Sequence, residues 1–262
     1  MRSTLKVNIL ISGLLVVLVA GLIPAAAQTA PQESLPSVDK IQESLPSVDK
    51  IVEKYVAALG GKAAIEKLTS RVAKGTFEMD QMPGTASEEI YEKAPNKQLS
   101  ITDAPNFGVV KRAFNGTAGW QDMPQTGLQD VTGDQLVAMK RYADFYRDIK
   151  LQELFPKMTV KGKESVNGHD AYVVEATPAE GAAELMYFDA ESGLLVRIQT
   201  QGEGPAGTVT IDSTFDDYRE VDGIKVPFVI HQSMGDFGFT IRLTEVKHNV
   251  PIEDAKFDKP AQ

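Results

Sequence analysis

The fold is decided by residues 70–123, which read SRVAKGTFEMDQMPGTASEEIYEKAPNKQLSITDAPNFGVVKRAFNGTAGWQDM. Apolar and small side chains alternate here with polar ones, as around Phe77 and Met79, and a period of two is typical of β-strands. Turn-forming pairs, among them Pro83-Gly84 and Asn115-Gly116, divide the stretch into short segments. These residues therefore predict a meander of short antiparallel strands.

The same pattern resumes after a helical interruption and continues towards the C-terminus. With the segment that ends at Met79, the predicted strands number about a dozen; the others are Glu88–Lys93, Lys97–Thr102, Gly108–Phe114, Gly119–Met123, Thr159–Ser165, Ala171–Thr177, Glu184–Phe188, Leu194–Gln201, Thr208–Tyr218, Lys225–Gln232 and Phe239–Lys247. Strands do not alternate with helices, so a parallel sheet is not expected. The predicted class is mainly β (α+β): a single large curved antiparallel sheet that forms an incomplete barrel, with short helices covering its concave face.

Three segments have helical periodicity. Apolar residues recur at spacings of three and four from Val48 to Leu59, before Gly60-Gly61, and a short helix is predicted over Lys62–Thr69. A third helix is predicted after Thr132, where Thr132-Gly133-Asp134-Gln135 has the spacing of a capping box.

The N-terminus has the pattern of an export signal. Arg2 and Lys6 precede fifteen apolar or small residues, Ile9–Ile23, and a small-residue cleavage site ends at Ala27. The alternative, a membrane anchor, needs roughly 20 apolar residues. We expect residues 1–27 to be a signal peptide, which predicts an exported, soluble protein of the periplasm.

A ten-residue duplication follows the predicted cleavage site. The sequence QESLPSVDKI occupies residues 32–41 and again residues 42–51. Two copies are too few for a solenoid, and each contains a proline. We interpret residues 28–47 as a flexible leader and residues 48–262 as one folded domain; the alternative for the duplication is a docking motif presented twice.

Composition excludes several classes of protein. The 262 residues include no cysteine, which removes disulfide scaffolds, thiolate metal sites and a lipid anchor on an N-terminal cysteine. A formal charge of −9 argues against a nucleic-acid-binding protein, which needs a basic surface.

The sequence contains none of the common catalytic motifs. The sequence lacks a nucleophile elbow, a phosphate-binding loop and a dinucleotide fingerprint, and His169, His231 and His248 have no ligand spacing. The adjacent carboxylates of Glu88-Glu89 and Asp216-Asp217 point to opposite faces of a strand, so we expect solvated side chains rather than acid–base pairs. The sequence predicts no enzyme, no cofactor and no metal site.

A large curved sheet offers more concave area than two or three short helices cover. Apolar residues at alternate strand positions are expected to share one face, and the uncovered part of that face would be an apolar cavity. The candidate cavity residues are Phe77, Met79, Leu99, Ile101, Trp120, Tyr172, Tyr187, Ile198, Phe228 and Phe239. The alternative for each of them is a place in an ordinary core.

Three short segments resemble a known family. The segment Tyr91-Glu92-Lys93-Ala94-Pro95-Asn96-Lys97, followed by Asn115-Gly116-x-x-x-Trp120 and the closing segment Asp254-Ala255-Lys256-Phe257, is similar to the LolA/LolB-like superfamily of lipoprotein carriers. This resemblance implies an incomplete barrel with a helical lid, whose apolar interior shelters lipoprotein acyl chains. In the family, an arginine that precedes the first proline contacts the lid; here that position is Ala94, which leaves the lid contact without its arginine.

Two hypotheses about function follow. The first is a periplasmic carrier or binding protein, expected to be a monomer, for lipoprotein acyl chains or other lipid-like ligands, with a possible trafficking partner in the outer or inner membrane. Exposing a sixteen-carbon acyl chain to water costs on the order of 12 kcal/mol, so a carrier has to enclose the chain. The alternative is an exported protein-interaction module with the same fold and no lipid transport.

Overall fold

The protein is described by a computed structural model over residues 45–81, 84–105, 107–204 and 207–261. Residues 44–262 form one compact unit. The predicted signal peptide, most of the predicted leader and the first copy of the duplication lie outside the described residues.

Thirteen strands in the described residues form one antiparallel sheet that is not closed into a barrel, which confirms the predicted fold class. The strands are β1 (Ser70–Met79), β2 (Thr85–Lys93), β3 (Lys97–Ala104), β4 (Gly108–Phe114), β5 (Gly119–Met123), β6 (Gly127–Val131), β7 (Lys157–Val166), β8 (His169–Thr177), β9 (Glu184–Asp189), β10 (Leu195–Gly204), β11 (Gly207–Val221), β12 (Ile224–Met234) and β13 (Phe237–His248).

The strand order combines two meanders. The first runs from β1 to β6 and the second from β7 to β13, and β13 returns to pair with β1, so that β6 and β7 are the two edges. Two-residue turns close several hairpins; Asn167 and Gly168 both have positive φ, at 52° and 86°, as a primed turn requires.

Helices lie before the first meander and between the two. They are α1 (Val48–Ala58), α2 (Lys62–Ile65), α3 (Gly133–Tyr142) and α4 (Leu151–Leu154), with 3₁₀ turns at Arg147–Ile149 and Asp254–Phe257. The predicted second helix, Lys62–Thr69, is therefore shorter than expected. None of the helices in the described ranges combines the length and apolar character needed to cross a bilayer.

Helix α1 begins and ends where its sequence predicts. The Ser47 hydroxyl accepts a hydrogen bond from the backbone nitrogen of Lys50 at 3.4 Å, and Gly60 follows the helix with φ of 120°. A side chain at Gly60 would place its Cβ 2.2 Å from the carbonyl oxygen of Gly223, so this close approach of helix end and hairpin requires glycine.

Candidate ligand-binding site

The two faces of the sheet have different coverings. We name the face that packs against α1 and α3 the inner face, and the opposite one the outer face. On the inner face, Ile51 and Tyr55 of α1 join a large core with Val174, Phe188 and other residues of β8 to β13. The rings of Tyr55 and Phe188 meet edge to face with centroids 5.2 Å apart.

Helix α3 bridges the inner face from one meander to the other. Its Met139 packs with Phe114 and Val131 of the first meander. At its C-terminal end, Arg141 pairs with Glu184 of β9 at 3.0 Å, and the Tyr142 hydroxyl donates to the same carboxylate at 2.8 Å. Because Glu184 is buried, this double contact ties the helix firmly across the sheet.

Three hydrogen bonds hold the segment between α3 and α4: one to the turn between β2 and β3, one to the residues before β1, and one to α1. The backbone nitrogen of Phe145 donates to the carbonyl oxygen of Pro95 at 2.9 Å, and the Tyr146 hydroxyl donates to the carbonyl oxygen of Leu68 at 2.9 Å. The Tyr55 hydroxyl donates to Asp148 at 2.8 Å. The contact with Pro95 lies beside Ala94, so a backbone hydrogen bond joins this helical segment to the sheet at the position where the resembling family has its arginine.

A buried charge cluster lies beside this segment. Arg71 is hydrogen-bonded to Glu92 on the neighbouring strand. Burial alone would raise the pKa of Glu92, but the positive charges of Arg71 and Arg147 outweigh that effect and lower it. The charges therefore compensate one another and hold the segment in place.

Towards the hairpin tips, the helices no longer cover the inner face. Six partly exposed apolar side chains lie there, and we name them the open strip: Phe77, Met79, Ile211, Ile230, Met234 and Phe239. The pairing register places them side by side, with Met79 opposite Phe239 and Ile211 opposite Met234. The rings of Phe77 and Phe239 stack with centroids 4.8 Å apart.

Over β3 and the adjoining part of β4, the inner face is polar. The alternate positions of β3 there are Gln98, Ser100 and Thr102, and β4 adds Arg112. Glu88 on β2 is 3% exposed and accepts a hydrogen bond from the Thr102 hydroxyl at 2.6 Å. Burial raises the pKa of Glu88 to about 7. The expectation that Glu88 is solvated is therefore wrong, whereas Glu88 and Glu89 do point to opposite faces.

Comparison with solved structures shows what this architecture is similar to. A DUF1329 family protein from Desulfovibrio piger superposes with a TM-score of 0.57 at 14% identity, over 80% of this chain and 97% of that one. A LolA superfamily protein from Nitrosomonas europaea gives 0.54 at 14% identity, over 82% and 99%. A putative outer membrane lipoprotein-sorting protein domain from Vibrio parahaemolyticus gives 0.53 at 12% identity, over 80% and 95%.

The chain has a LolA-like fold. At identities of 12–14% the likeness concerns the fold. No protein-family model matches the sequence, and no curated protein matches it.

Six of the ten predicted cavity residues lie on the inner face of the LolA-like sheet. Phe77, Met79 and Phe239 belong to the open strip. Tyr172 and Ile198 are partly buried at the border of the core, and Phe228 is 6% exposed within it, beneath the helical cover. The open strip therefore holds three of the predicted residues, and their binding role stays a prediction.

The other four predicted cavity residues lie on the outer face, so the prediction of one shared face is wrong for them. Leu99, Ile101 and Trp120 form an outer cluster, and Tyr187 belongs to a second one with Val173. The pairing register causes this: Leu99 is opposite Tyr91 and Ala113, whereas the neighbouring position of β4, Phe114, packs under α3.

The C-terminal segment covers the outer cluster. Phe257 is completely buried in it, and the Trp120 indole nitrogen donates to the Phe257 carbonyl oxygen at 2.8 Å. Lys93 donates to the carbonyl oxygen of Ile252 at 2.6 Å and pairs with Asp254 at 2.7 Å. Sequence reasoning missed this cover, although the apolar Ile252 and Phe257 near the C-terminus were a visible signal.

Two cavities flank the C-terminal segment on the outer face. One of about 420 Å³ lies between Tyr91 and Pro251, and one of about 320 Å³ is lined by Leu99, Ile101 and Trp120. Lys256 lines both and lies over the Tyr91 ring at 3.8 Å from its centroid. Three of the predicted residues thus line a cavity, but one on the opposite face from the predicted site.

The three histidines have separate surroundings. His169 is exposed beside its turn, His231 contacts Thr240 at 3.1 Å, and His248 contacts Asp222 at 3.0 Å. Among the described residues, no three histidine or carboxylate side chains converge as metal ligands.

Proposed function

We propose that the protein is a periplasmic carrier or binding protein for lipid-like apolar ligands, with lipoprotein acyl chains as the leading class, and that it has no catalytic activity. The observation that carries the proposal is the open strip: six apolar side chains that remain partly exposed on the inner face, next to the core and beyond the helical cover. Gln232 and Ser213, which are hydrogen-bonded to each other at 2.8 Å, interrupt the strip on the same face. A partly exposed apolar surface of this kind on an acidic protein is typical of a binding site.

The physical argument rests on the cost of leaving apolar surface in water. Each buried methylene gains about 0.8 kcal/mol, so a chain laid along Phe77 and Phe239 would remove both its own surface and that of the strip from water. The fold likeness to a LolA superfamily protein and to a lipoprotein-sorting domain supports the same choice. The predicted export signal, residues 1–27, supports a place in the periplasm.

The proposal is tested by binding of a neutral apolar fluorescent probe and by lipid extraction and mass spectrometry of protein purified from the periplasm. We expect acyl material to be extracted with the protein, and we expect Phe239→Asp to weaken probe binding about tenfold or more, because a carboxylate would have to be desolvated beneath the ligand. Phe228 is unsuitable for this test since its side chain belongs to the core.

The matched control is Val109→Asp. Val109 is 40% exposed at an outer-face position of β4, so the same new charge lies in water there. Thermal unfolding of both variants establishes that they are folded. A protein that carries no acyl material and binds no probe would overturn the proposal and leave the interaction module as the alternative.

A further inference from the structure

The inner face of the first meander contains one arginine that the fold does not use. Arg71 is hydrogen-bonded to Glu92, and Glu88 is bonded to Thr102. Arg112, in contrast, has no hydrogen bond and no carboxylate partner among the described residues.

Arg112 lies within the concave surface and is still accessible. It is paired with Ser100 of β3 and with Gln121 of β5, both inner-face positions. Its side chain is exposed to solvent, yet the surrounding protein lowers the pKa of the guanidinium by desolvation. The Arg112 guanidinium is therefore partly surrounded by protein and still accessible to a ligand.

Arg112 and the open strip share the inner face of the sheet. The register across β4, β3, β2 and β1 places Arg112 level with Ala73 of β1. Ala73 precedes Phe77 by four residues along that strand. Three strand spacings and four residue rises make the separation about 20 Å along the sheet. A cation thus lies at one end of the inner face and an apolar surface at the other, within the length of a long-chain lipid.

We propose that Arg112 binds the anionic head group, a carboxylate or a phosphate, of a long-chain amphiphile whose apolar chain lies on the open strip. This inference rests on the proposed function and adds the class of ligand to it. A guanidinium binds carboxylate and phosphate oxygens through paired hydrogen bonds, and these gain strength where water is partly excluded. An arginine without a carboxylate partner also favours anionic over neutral head groups locally, on a protein whose net charge is −9.

The test compares ligands that share one chain and differ in the head group. Displacement of a neutral apolar probe is measured with hexadecanoate, hexadecyl phosphate and hexadecanol, each below its micellar concentration or solubility limit, on the full protein and on Arg112→Gln. We expect the variant to lose about tenfold in affinity for the two anions and to keep its affinity for the alcohol.

The matched control is Lys111→Gln, which removes the same charge from the adjacent outer-face position. We expect it to leave the affinities for all three ligands unchanged, because Lys111 is paired with Ile101 and lies on the outer face. Equal unfolding midpoints show that the variants are folded. Inorganic phosphate, added as a competitor, separates a site for free anions from a site for amphiphiles: if phosphate weakened the binding of the fatty acid as much as the alkyl phosphate does at the same concentration, the assignment to an amphiphile would be overturned.

The outcomes separate this inference from the proposed function. If the wild-type protein binds all three ligands and Arg112→Gln changes none of the affinities, the head-group site is overturned while the apolar carrier remains. If the wild-type protein binds none of them and no probe, the proposed function falls, and the inference that rests on it falls with it.

Discussion

Glu88 predicts an unusual dependence of stability on pH. The carboxyl is 3% exposed, its hydrogen-bond donor is the neutral hydroxyl of Thr102, and burial raises its pKa to about 7 from an ordinary 4.5. An acid whose pKa is higher in the folded than in the unfolded state stabilises the fold while it is protonated. That contribution is complete below about pH 4.5 and is lost as the pH rises through 7.

The magnitude follows from the two pKa values. They differ by about 2.5, and each pKa unit corresponds to about 1.36 kcal/mol, so about 3 kcal/mol of stability is lost between pH 4 and pH 8. The replacement Glu88→Gln keeps an oxygen that accepts from Thr102 and cannot ionise. We therefore expect the wild-type protein to lose about 3 kcal/mol relative to this variant over that range.

The assay is urea unfolding of both proteins at several pH values from about 4 to 8, analysed as the difference in the free energy of unfolding. The control is Glu89→Gln, on the outer face of the same strand. Hydrogen bonds from Tyr91 and Lys74 lower the pKa of Glu89, so its contribution to stability is lost as the pH falls, which is the opposite sign. If the difference in the free energy of unfolding between wild type and Glu88→Gln stayed constant across this pH range, the raised pKa of Glu88 would be contradicted.

Three further predictions concern packing and processing. Gly75→Ala should lower the free energy of unfolding by about 1–3 kcal/mol, since its Cβ would lie 2.1 Å from the carbonyl oxygen of Arg242; an unchanged urea midpoint would contradict the close approach. Phe257→Ala should cost about 3–5 kcal/mol and shift the fluorescence of Trp120, the single tryptophan, towards that of a solvated indole; unchanged emission would mean that the C-terminal segment does not cover the indole. N-terminal sequencing of the exported protein should begin at Gln28, and retention of residues 1–27 would instead favour a membrane anchor.

Local pattern predicted the secondary structure well because its causes are local. Ser47 and Gly60 bound α1 as expected, and Asn167-Gly168 has the two positive φ angles of its turn. The period of two predicted the strands of both meanders except β6, Gly127–Val131, which the sequence analysis missed. Helix α2 ended earlier than predicted because only its first turn forms.

The candidate site was predicted only in part, because the alternation predicts one apolar face where the structure has two. In β3, Leu99 and Ile101 were assigned to the cavity, but the inner positions of that strand are polar. The polar alternation of Gln98, Ser100 and Thr102 on the other side of the strand could have indicated this. Arg112 gave no signal in the sequence, since an arginine within a strand is ordinarily solvated.

Local alternation of side chains along an extended backbone predicts most of the strands, the turns between them, and which residues of a strand share a side. Which of the two sides is the inner one is set by tertiary contacts. That choice depends on the register between strands, on a bulge between β1 and β13 at Lys74/Gly75, and on the places where α3 and the C-terminal segment pack. Contacts between distant residues set all three, so Trp120 became part of a covered outer core, while Phe77 and Phe239 remained open.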